Sequence, residues 1–297
     1  MQGEFCRVLT EDGLELQGLF CAPEAGPAGT TVVHTHGLDG NFYENRFVDN
    51  VADACVQRGF NFITFNNRGH DYISDFIVEG PESGGLSYRQ IGGIHEVFEE
   101  CFMDISTWLA FARARGTRRF VIQGHSHGAL KAIYYLWRAT AADIAGLILL
   151  SPSDDFGMQR EALGGRFDRA LALARDLIRA GKETELMPPD LFHYPISARS
   201  YHDIFRTPSP LALFNVCGTD RSDFPELASI RVPVLMLVGS VEEAFLGEPR
   251  AYIDTARALL ENAESFNGAV IEGAPHNYLS FEAEVAERIG AWLQAAF

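Results

Sequence analysis

The stretch that decides the fold is GHSHG, Gly124 to Gly128. It follows the apolar run 120–122, which is typical of a buried strand, and precedes the apolar run 129–136, which is typical of a helix. Gly-x-Ser-x-Gly between a strand and a helix is the pattern of a sharp turn that presents a serine. The two glycines leave room for strand and helix to approach closely around that turn. We therefore predict that Ser126 is an exposed nucleophile that needs a base to take its proton.

Alternating strand and helix patterns extend from this turn in both directions. Near-continuous apolar strands separated by amphipathic helices predict an α/β fold with a mostly parallel, doubly wound sheet. An Asp-Gly turn at 12–13, between alternating segments, predicts an N-terminal antiparallel hairpin. Residues 71–94 are polar and glycine-rich, and we expect a loop there. The other predicted strands are 31–35, 60–65, 144–150, 231–238 and 269–271, and the predicted helices are 42–59, 96–114, 251–260 and 282–296.

One segment, 155–229, breaks the alternation. It contains an amphipathic stretch and then a region rich in proline and aromatic residues, including Phe192, Tyr194, Tyr201, Phe205 and Phe214. We predict a helical cap (lid) insertion over the carboxyl ends of the strands, where ligands of such sheets bind. The predicted core domain then comprises residues 1–154 and 230–297.

The composition argues against some classes of binding partner. Forty acidic and 24 basic residues give a formal charge of −16, which argues against nucleic-acid and anionic-membrane binding. No apolar stretch approaches the roughly 18 residues of a membrane helix, and residues 1–5 do not resemble a signal peptide. Five scattered cysteines form no disulfide pattern, so we expect buried thiols and a cytoplasmic location; they are Cys6, Cys21, Cys55, Cys101 and Cys217.

The partners of Ser126 are sought at the carboxyl ends of later strands. His276, on a loop after the last strand and before the final helix, suits a general base. An acid is expected between serine and histidine in the chain, and Val238-Gly239 is followed by two adjacent glutamates. We choose Glu242 as the residue that orients His276, with Glu243 second and Asp220 in the insertion third. Neighbouring side chains diverge, so we expect only one of the two glutamates to point at the His276 ring.

The oxyanion donors are predicted from backbone amides. The N–H of His127 lies at the start of the helix after the nucleophile, and the N–H of Leu38 follows an earlier strand that ends at His36-Gly37. Each such donor is typically worth about 100- to 1,000-fold in rate. We expect the His36 side chain to shape its turn, and Arg68 to brace the turn after the next strand.

A metal site is the alternative use of these histidines, drawing on His34, His36, His125 and His127. No cysteine or acidic residue completes a familiar ligand spacing with them, and the glycines favour a nucleophile turn. We therefore predict no metal and no cofactor.

With these residues in place, the chain resembles the α/β-hydrolase superfamily over nearly its whole length. The matching motifs are THGLDGN, NNRGHD, GHSHG, LVGSVEE and GAPHNY. HGLDGNFYENRF together with FNNRGHD also resembles the siderophore-esterase-like branch. The superfamily resemblance implies the α/β-hydrolase fold and a serine hydrolase, and the branch resemblance adds ester-linked siderophores as one candidate substrate class. Two departures are His127, where an apolar residue is more usual, and a glutamate as the acid.

The predicted function is hydrolysis of an ester or related acyl bond of a small molecule through an acyl-serine intermediate. The aromatic insertion suits a bulky or apolar substrate if it lines the pocket, although it can equally form the cap's own core. The alternatives are an acyltransferase or carbon–carbon bond hydrolase with the same triad, or a non-catalytic ligand-binding protein on the same fold. The sequence leaves the oligomeric state open, a homodimer included.

Overall fold

A twisted eight-stranded sheet lies at the centre of the computed structural model, which describes residues 1–80, 85–139, 142–206 and 224–297. Its strand order is β1-β2-β4-β3-β7-β8-β9-β10, and every neighbouring pair from β4 to β10 is parallel. The strands β1 and β2 form the predicted antiparallel hairpin at one edge. In chain order the described strands are β1 (Glu4–Leu9), β2 (Glu15–Cys21), β3 (Thr30–Thr35), β4 (Asn61–Phe65), β5 (Asp75–Gly80), β6 (Gly85–Gln90), β7 (Arg119–His125), β8 (Ile144–Leu150), β9 (Val234–Val241) and β10 (Phe266–Pro275).

Helices cover both faces of this sheet, which confirms the predicted doubly wound architecture. Successive strand residues point to opposite faces, so Val32 and Val33 enter different apolar clusters, as do Val121 and Ile122. One cluster contains α1 and α9, and the other contains α2, α3 and α8. The described α-helices are α1 (Phe47–Gln57), α2 (Cys101–Ala114), α3 (His127–Arg138), α4 (Asp155–Leu163), α5 (Phe167–Arg179), α6 (Ala198–Phe205), α7 (Pro225–Ala228), α8 (Pro249–Leu259) and α9 (Glu282–Ala296).

The predicted loop over 71–94 is wrong in its centre. Strands β5 and β6 pair there as an antiparallel two-stranded sheet. Phe76 is buried in the core, and the Glu79 amide donates to the Gly13 carbonyl at 2.8 Å. The aromatic and β-branched run Phe76-Ile77-Val78 is a strand signal, which the surrounding polar residues and glycines concealed.

Other boundaries move by a few residues. The first helix begins at Phe47 instead of 42, and α2 begins at Cys101 after a 3₁₀ turn over Phe98–Glu100. The last strand is longer than predicted and ends at Pro275, so His276 follows it directly.

The helices between β8 and β9 pack on the sheet domain. Leu163, Phe167, Tyr201 and Phe205 belong to the same apolar cluster as α2 and α3. The boundaries 155 and 229 of the cap stay a prediction, and Phe214, Cys217 and Asp220 lie outside the described residues. The other four cysteines are buried free thiols, as predicted. No described helix combines the length and hydrophobicity that crossing a bilayer requires.

Candidate active site

Ser126 occupies the turn between β7 and α3. Its φ of 57° lies in the left-handed region, which costs a non-glycine residue energy and persists only where packing enforces it. A Cβ on Gly124 would overlap the backbone of Gly128, and a Cβ on Gly128 would overlap the carbonyls at the end of β3. Both glycines are therefore required by close backbone contact, and Ser126 lines the cleft above them.

Glu242 and His276 meet at the carboxyl ends of β9 and β10. His276 Nδ1 lies 2.5 Å from Glu242 Oε1, which also accepts the backbone N–H of Glu243 at 3.1 Å. The Glu242 side chain is 1% exposed. Burial alone would raise the pKa of this carboxyl, but the hydrogen bond and the electrostatic interaction with His276 outweigh burial and lower it. A buried carboxylate on Nδ1 leaves Nε2 of His276 as the basic nitrogen.

The alternative acids differ in position. Glu243 lines the same cleft with an exposed side chain, and Asp220 lies outside the described residues. The structure brings Ser126 and His276 to one cleft and joins His276 to Glu242.

Two buried residues hold the His276 loop in place. Tyr278 donates its hydroxyl to the Leu237 carbonyl at 2.8 Å and accepts the Ser151 hydroxyl at 2.8 Å. His125 Nε2 lies 2.9 Å from the His276 carbonyl. Burial and the nearby His276 lower the pKa of His125 well below its ordinary value, so its ring is a neutral donor. The loop is thus attached to β9 and to the residue before Ser126.

The loop after β3 lies against Ser126. A Cβ on Gly37 would stand 3.0 Å from the Ser126 Cβ, and Leu38 lines the cleft. Among the described residues, none accepts a backbone hydrogen bond from Leu38 N–H. His127 begins α3, and the first amides of a helix have no partner within it. Within the described part of the chain, neither predicted oxyanion donor has a backbone acceptor, and each follows a residue at or against the turn of Ser126.

The cleft has a volume of about 840 Å³ and two unlike walls. Helix α4 and the segment 190–193 contribute one wall, which holds the apolar side chains Met158, Leu163, Leu191 and Phe192 and the carboxylates Asp155 and Asp190. The sheet domain contributes the serine, the histidine and three carboxylates, Asp39, Glu44 and Glu243. An apolar ester can pack on the first wall with its carbonyl at the serine.

Comparison with known proteins identifies the family of this chain. A model of the alpha/beta hydrolase family matches residues 32–288. The chain belongs to the alpha/beta hydrolase family. The predicted superfamily and its fold are therefore confirmed.

The solved structures similar to this α/β hydrolase include three of almost equal length. Est1E from Butyrivibrio proteoclasticus, with bound ferulic acid, is 17% identical, with 98% of this chain and 99% of that chain covered and a TM-score of 0.66. The siderophore hydrolase EstB from Aspergillus fumigatus is 16% identical (99% and 98% covered, TM-score 0.68). A thermostable carboxyl esterase from Bacillus coagulans is 15% identical (100% and 99% covered, TM-score 0.68). At this identity the likeness concerns the fold. A search of curated proteins finds no match.

The histidines weighed as metal ligands in this hydrolase have protein partners. His34 Nδ1 lies 2.8 Å from the Gln123 amide, and His36 Nδ1 lies 2.8 Å from the Gly37 carbonyl. His127 Nδ1 lies 2.8 Å from Asp155 Oδ2. Among the described residues, no three or more histidine, cysteine, aspartate or glutamate side chains lie together in a way that could hold a metal ion.

Sequence reasoning missed the role of Asp155, the first residue of α4. Its carboxylate accepts from His127 and from the Ser153 hydroxyl, and it lines the cleft. Burial alone would raise the pKa of Asp155, but these hydrogen bonds and the electrostatic interaction with His127 lower it. Its place five residues after the end of β8, at the carboxyl edge of the sheet, is the signal that could have found it.

Sequence reasoning also missed a buried ion pair between Lys131 and Glu96. Both side chains are almost wholly buried, at 0% and 4% exposed. A lysine inside the apolar run of α3 was the available signal, because an unpaired buried ammonium is very costly. Arg68, expected to brace its turn, is fully buried against Asp104 and also pairs with Asp12 and Glu100.

Proposed function

We propose that this α/β hydrolase is a serine esterase that cleaves a carboxylic ester of a small, largely apolar molecule through an acyl-serine intermediate. The observation that carries the proposal is the buried Glu242 carboxylate on His276, in the cleft that Ser126 lines at a strained turn.

In the first half of the reaction, His276 Nε2 takes the Ser126 proton as the hydroxyl oxygen attacks the ester carbonyl. Glu242 holds the ring in the correct tautomer and stabilises the imidazolium that forms. The amides of Leu38 and His127 donate to the oxyanion. The imidazolium then protonates the leaving alcohol, whose C–O bond breaks, and the acyl group remains on Ser126.

In the second half, His276 takes a proton from water as that water attacks the acyl-serine. A second oxyanion forms at the same two amides and collapses. The carboxylic acid leaves, and the proton returns to Ser126. No cofactor enters this sequence.

The walls of the cleft support an apolar substrate. Met158, Leu163 and Phe192 offer an apolar surface for an acyl or aryl group, and Asp39, Glu44 and Glu243 line the cleft from the sheet domain. Est1E holds ferulic acid and EstB is a siderophore hydrolase, and both share this fold. Aryl esters and ester-linked siderophores are therefore the first substrate classes to test.

Intact-mass labelling with a fluorophosphonate tests the mechanism. The wild type should gain the mass of one adduct, and Ser126→Ala should gain none. Ser153→Ala serves as a matched control, because Ser153 lines the same cleft and should leave the adduct intact. Equal labelling of wild type and Ser126→Ala, or no labelling of a folded wild type, would contradict the proposal.

A further inference from the structure

A buried charge pair lies behind the candidate oxyanion loop. Lys131 is one turn after His127 on α3, and its Nζ lies 2.5 Å from Glu96 Oε1 and 3.2 Å from Asn67 Oδ1. Glu96 Oε2 is buried with no hydrogen-bond partner among the described residues. Replacing such a pair by apolar residues is often neutral or stabilising, so folding alone does not explain its presence.

Asn67 connects this pair to His36. The Asn67 backbone N–H donates to His36 Nε2 at 3.1 Å, so Nε2 is an acceptor. His36 Nδ1 lies 2.8 Å from the Gly37 carbonyl oxygen, which can only accept, so Nδ1 carries the proton. The two contacts together require the neutral ring with hydrogen on Nδ1.

This contact from His36 orients one peptide plane. The Gly37 carbonyl and the Leu38 N–H belong to the same peptide bond, and in a planar trans peptide they point in opposite directions. Because His36 holds the carbonyl on the buried side, the Leu38 amide faces the cleft. Gly37 lies against Ser126, so this amide is directed to the space beside the nucleophile.

The charge of Lys131 favours the required form of the ring. Two causes lower the pKa of His36 well below its ordinary value: burial is the larger, and the Lys131 ammonium is the second. His70 and His34 act in the same direction, whereas the Gly37 carbonyl opposes them. An imidazolium would direct a second N–H at the Asn67 amide and break the arrangement.

We propose that Lys131 is a positioning residue for the oxyanion hole and acts through Asn67 and His36 on the Leu38 amide. The proposal rests on the proposed esterase function. Gly69 fits the same arrangement, because a Cβ there would overlap the Glu96 carboxyl group. Lys131 touches neither substrate nor Ser126, so its effect is on the orientation of a donor.

Kinetics of Lys131→Met test this role, with an aryl ester as substrate. An oxyanion donor acts on the transition state, so kcat should fall while KM stays within about twofold. Full loss of one donor costs about 100- to 1,000-fold, and we expect about 10- to 100-fold for a misdirected one. A trifluoromethyl ketone, whose hemiketal oxyanion uses the same donors, should bind more weakly by a similar factor. Lys182→Met, at an exposed lysine, is the matched control and should leave kcat unchanged.

The double variant Lys131→Met/Glu96→Leu separates positioning from folding, and remains informative if the single variant does not fold. Removing both charges should return the Tm close to that of the wild type, whereas kcat should stay low. A double variant with wild-type kcat would overturn the inference and leave the esterase proposal standing. A folded wild type with neither ester turnover nor inhibitor adduct would overturn both.

Discussion

His276 Nδ1 contacts Glu242 Oε1 at 2.5 Å, whereas the adjacent Glu243 has an exposed side chain and no ion-pair partner among the described residues. We therefore expect substitutions of the two glutamates to have different effects on kcat. Glu242→Gln should lower kcat by about 10³- to 10⁴-fold, because an amide supports the wrong histidine tautomer. Steady-state kinetics on a simple aryl ester measure this.

Glu243→Gln is the matched control for that experiment, since it makes the same chemical change one residue away. Its kcat should stay within about threefold of the wild type, as expected for an exposed group outside the reacting set. Equal losses in the two variants would show that Glu242 is not the orienting acid.

The hydroxyl of Tyr278 should matter for both stability and rate. Tyr278→Phe leaves the Leu237 carbonyl and the Ser151 hydroxyl without their buried partner. The free energy of unfolding should fall by about 1–3 kcal/mol. The kcat should also fall, because the His276 loop loses its attachment to β9.

Tyr252→Phe provides the comparison for Tyr278. Tyr252 belongs to α8, and its hydroxyl donates to the Pro152 carbonyl at 3.2 Å. Denaturant unfolding should show a loss of stability without the loss of kcat. If kcat were unchanged in Tyr278→Phe, the attachment of the His276 loop to β9 would not contribute to catalysis.

Asp39 should make the protein less stable as the pH rises, which is the reverse of the usual effect of a carboxyl group. Burial, followed by repulsion from Glu44, raises the pKa of this carboxyl from 3.8 to about 6 in the folded protein. The folded state therefore binds the proton more tightly than the unfolded state. The resulting stability is fully present below pH 3.8 and is lost as the pH rises through 6.

Asp39→Asn removes this dependence. The variant should be more stable than the wild type at pH 7, and the difference should disappear near pH 4, in urea unfolding at the two values. Asp254→Asn, at an exposed aspartate of α8, should show no comparable change. If the advantage of Asp39→Asn were larger at pH 4, the assigned pKa direction would be wrong.

The charge of the acyl group should affect turnover. Asp39, Glu44 and Glu243 line the cleft, and none of them forms an ion pair within the described residues. Among aryl esters with acyl groups of matched size, a terminal carboxylate should give a lower kcat/KM than a neutral group. Added salt should reduce the difference, because it screens exposed charges. Equal kcat/KM values at low salt would contradict this.

Much of the fold could be predicted because its signals are local. Apolar runs ending in glycine, such as the one before Ser126, predicted the central strands and the sheet edge at which Glu242 and His276 meet. The hairpin of β5 and β6 escaped prediction because its strand signal is short, and its pairing with the Gly13 turn joins distant parts of the chain.

The candidate site was predictable in its reacting groups but not in its supports. Motif spacing pointed to Ser126, Leu38 and His276, since each follows a strand. The contacts of Asp155 with His127 and of Glu96 with Lys131 depend on how distant segments of the chain pack together, which no single segment encodes. Chain order placed the acid between Ser126 and His276, but it fits Glu242 and Glu243 equally, and only side-chain coordinates distinguish the two.

The two glycines around Ser126 place three main-chain segments in direct van der Waals contact: the end of β3, the end of β7 and the first turn of α3. No side chain separates the nucleophile from the peptide that holds Leu38. The spacing between attacking oxygen and oxyanion donor is therefore set by backbone atoms, which have no rotamers to exchange. As the temperature rises, this spacing should persist until the sheet itself melts, so catalytic competence and the central strands should be lost together.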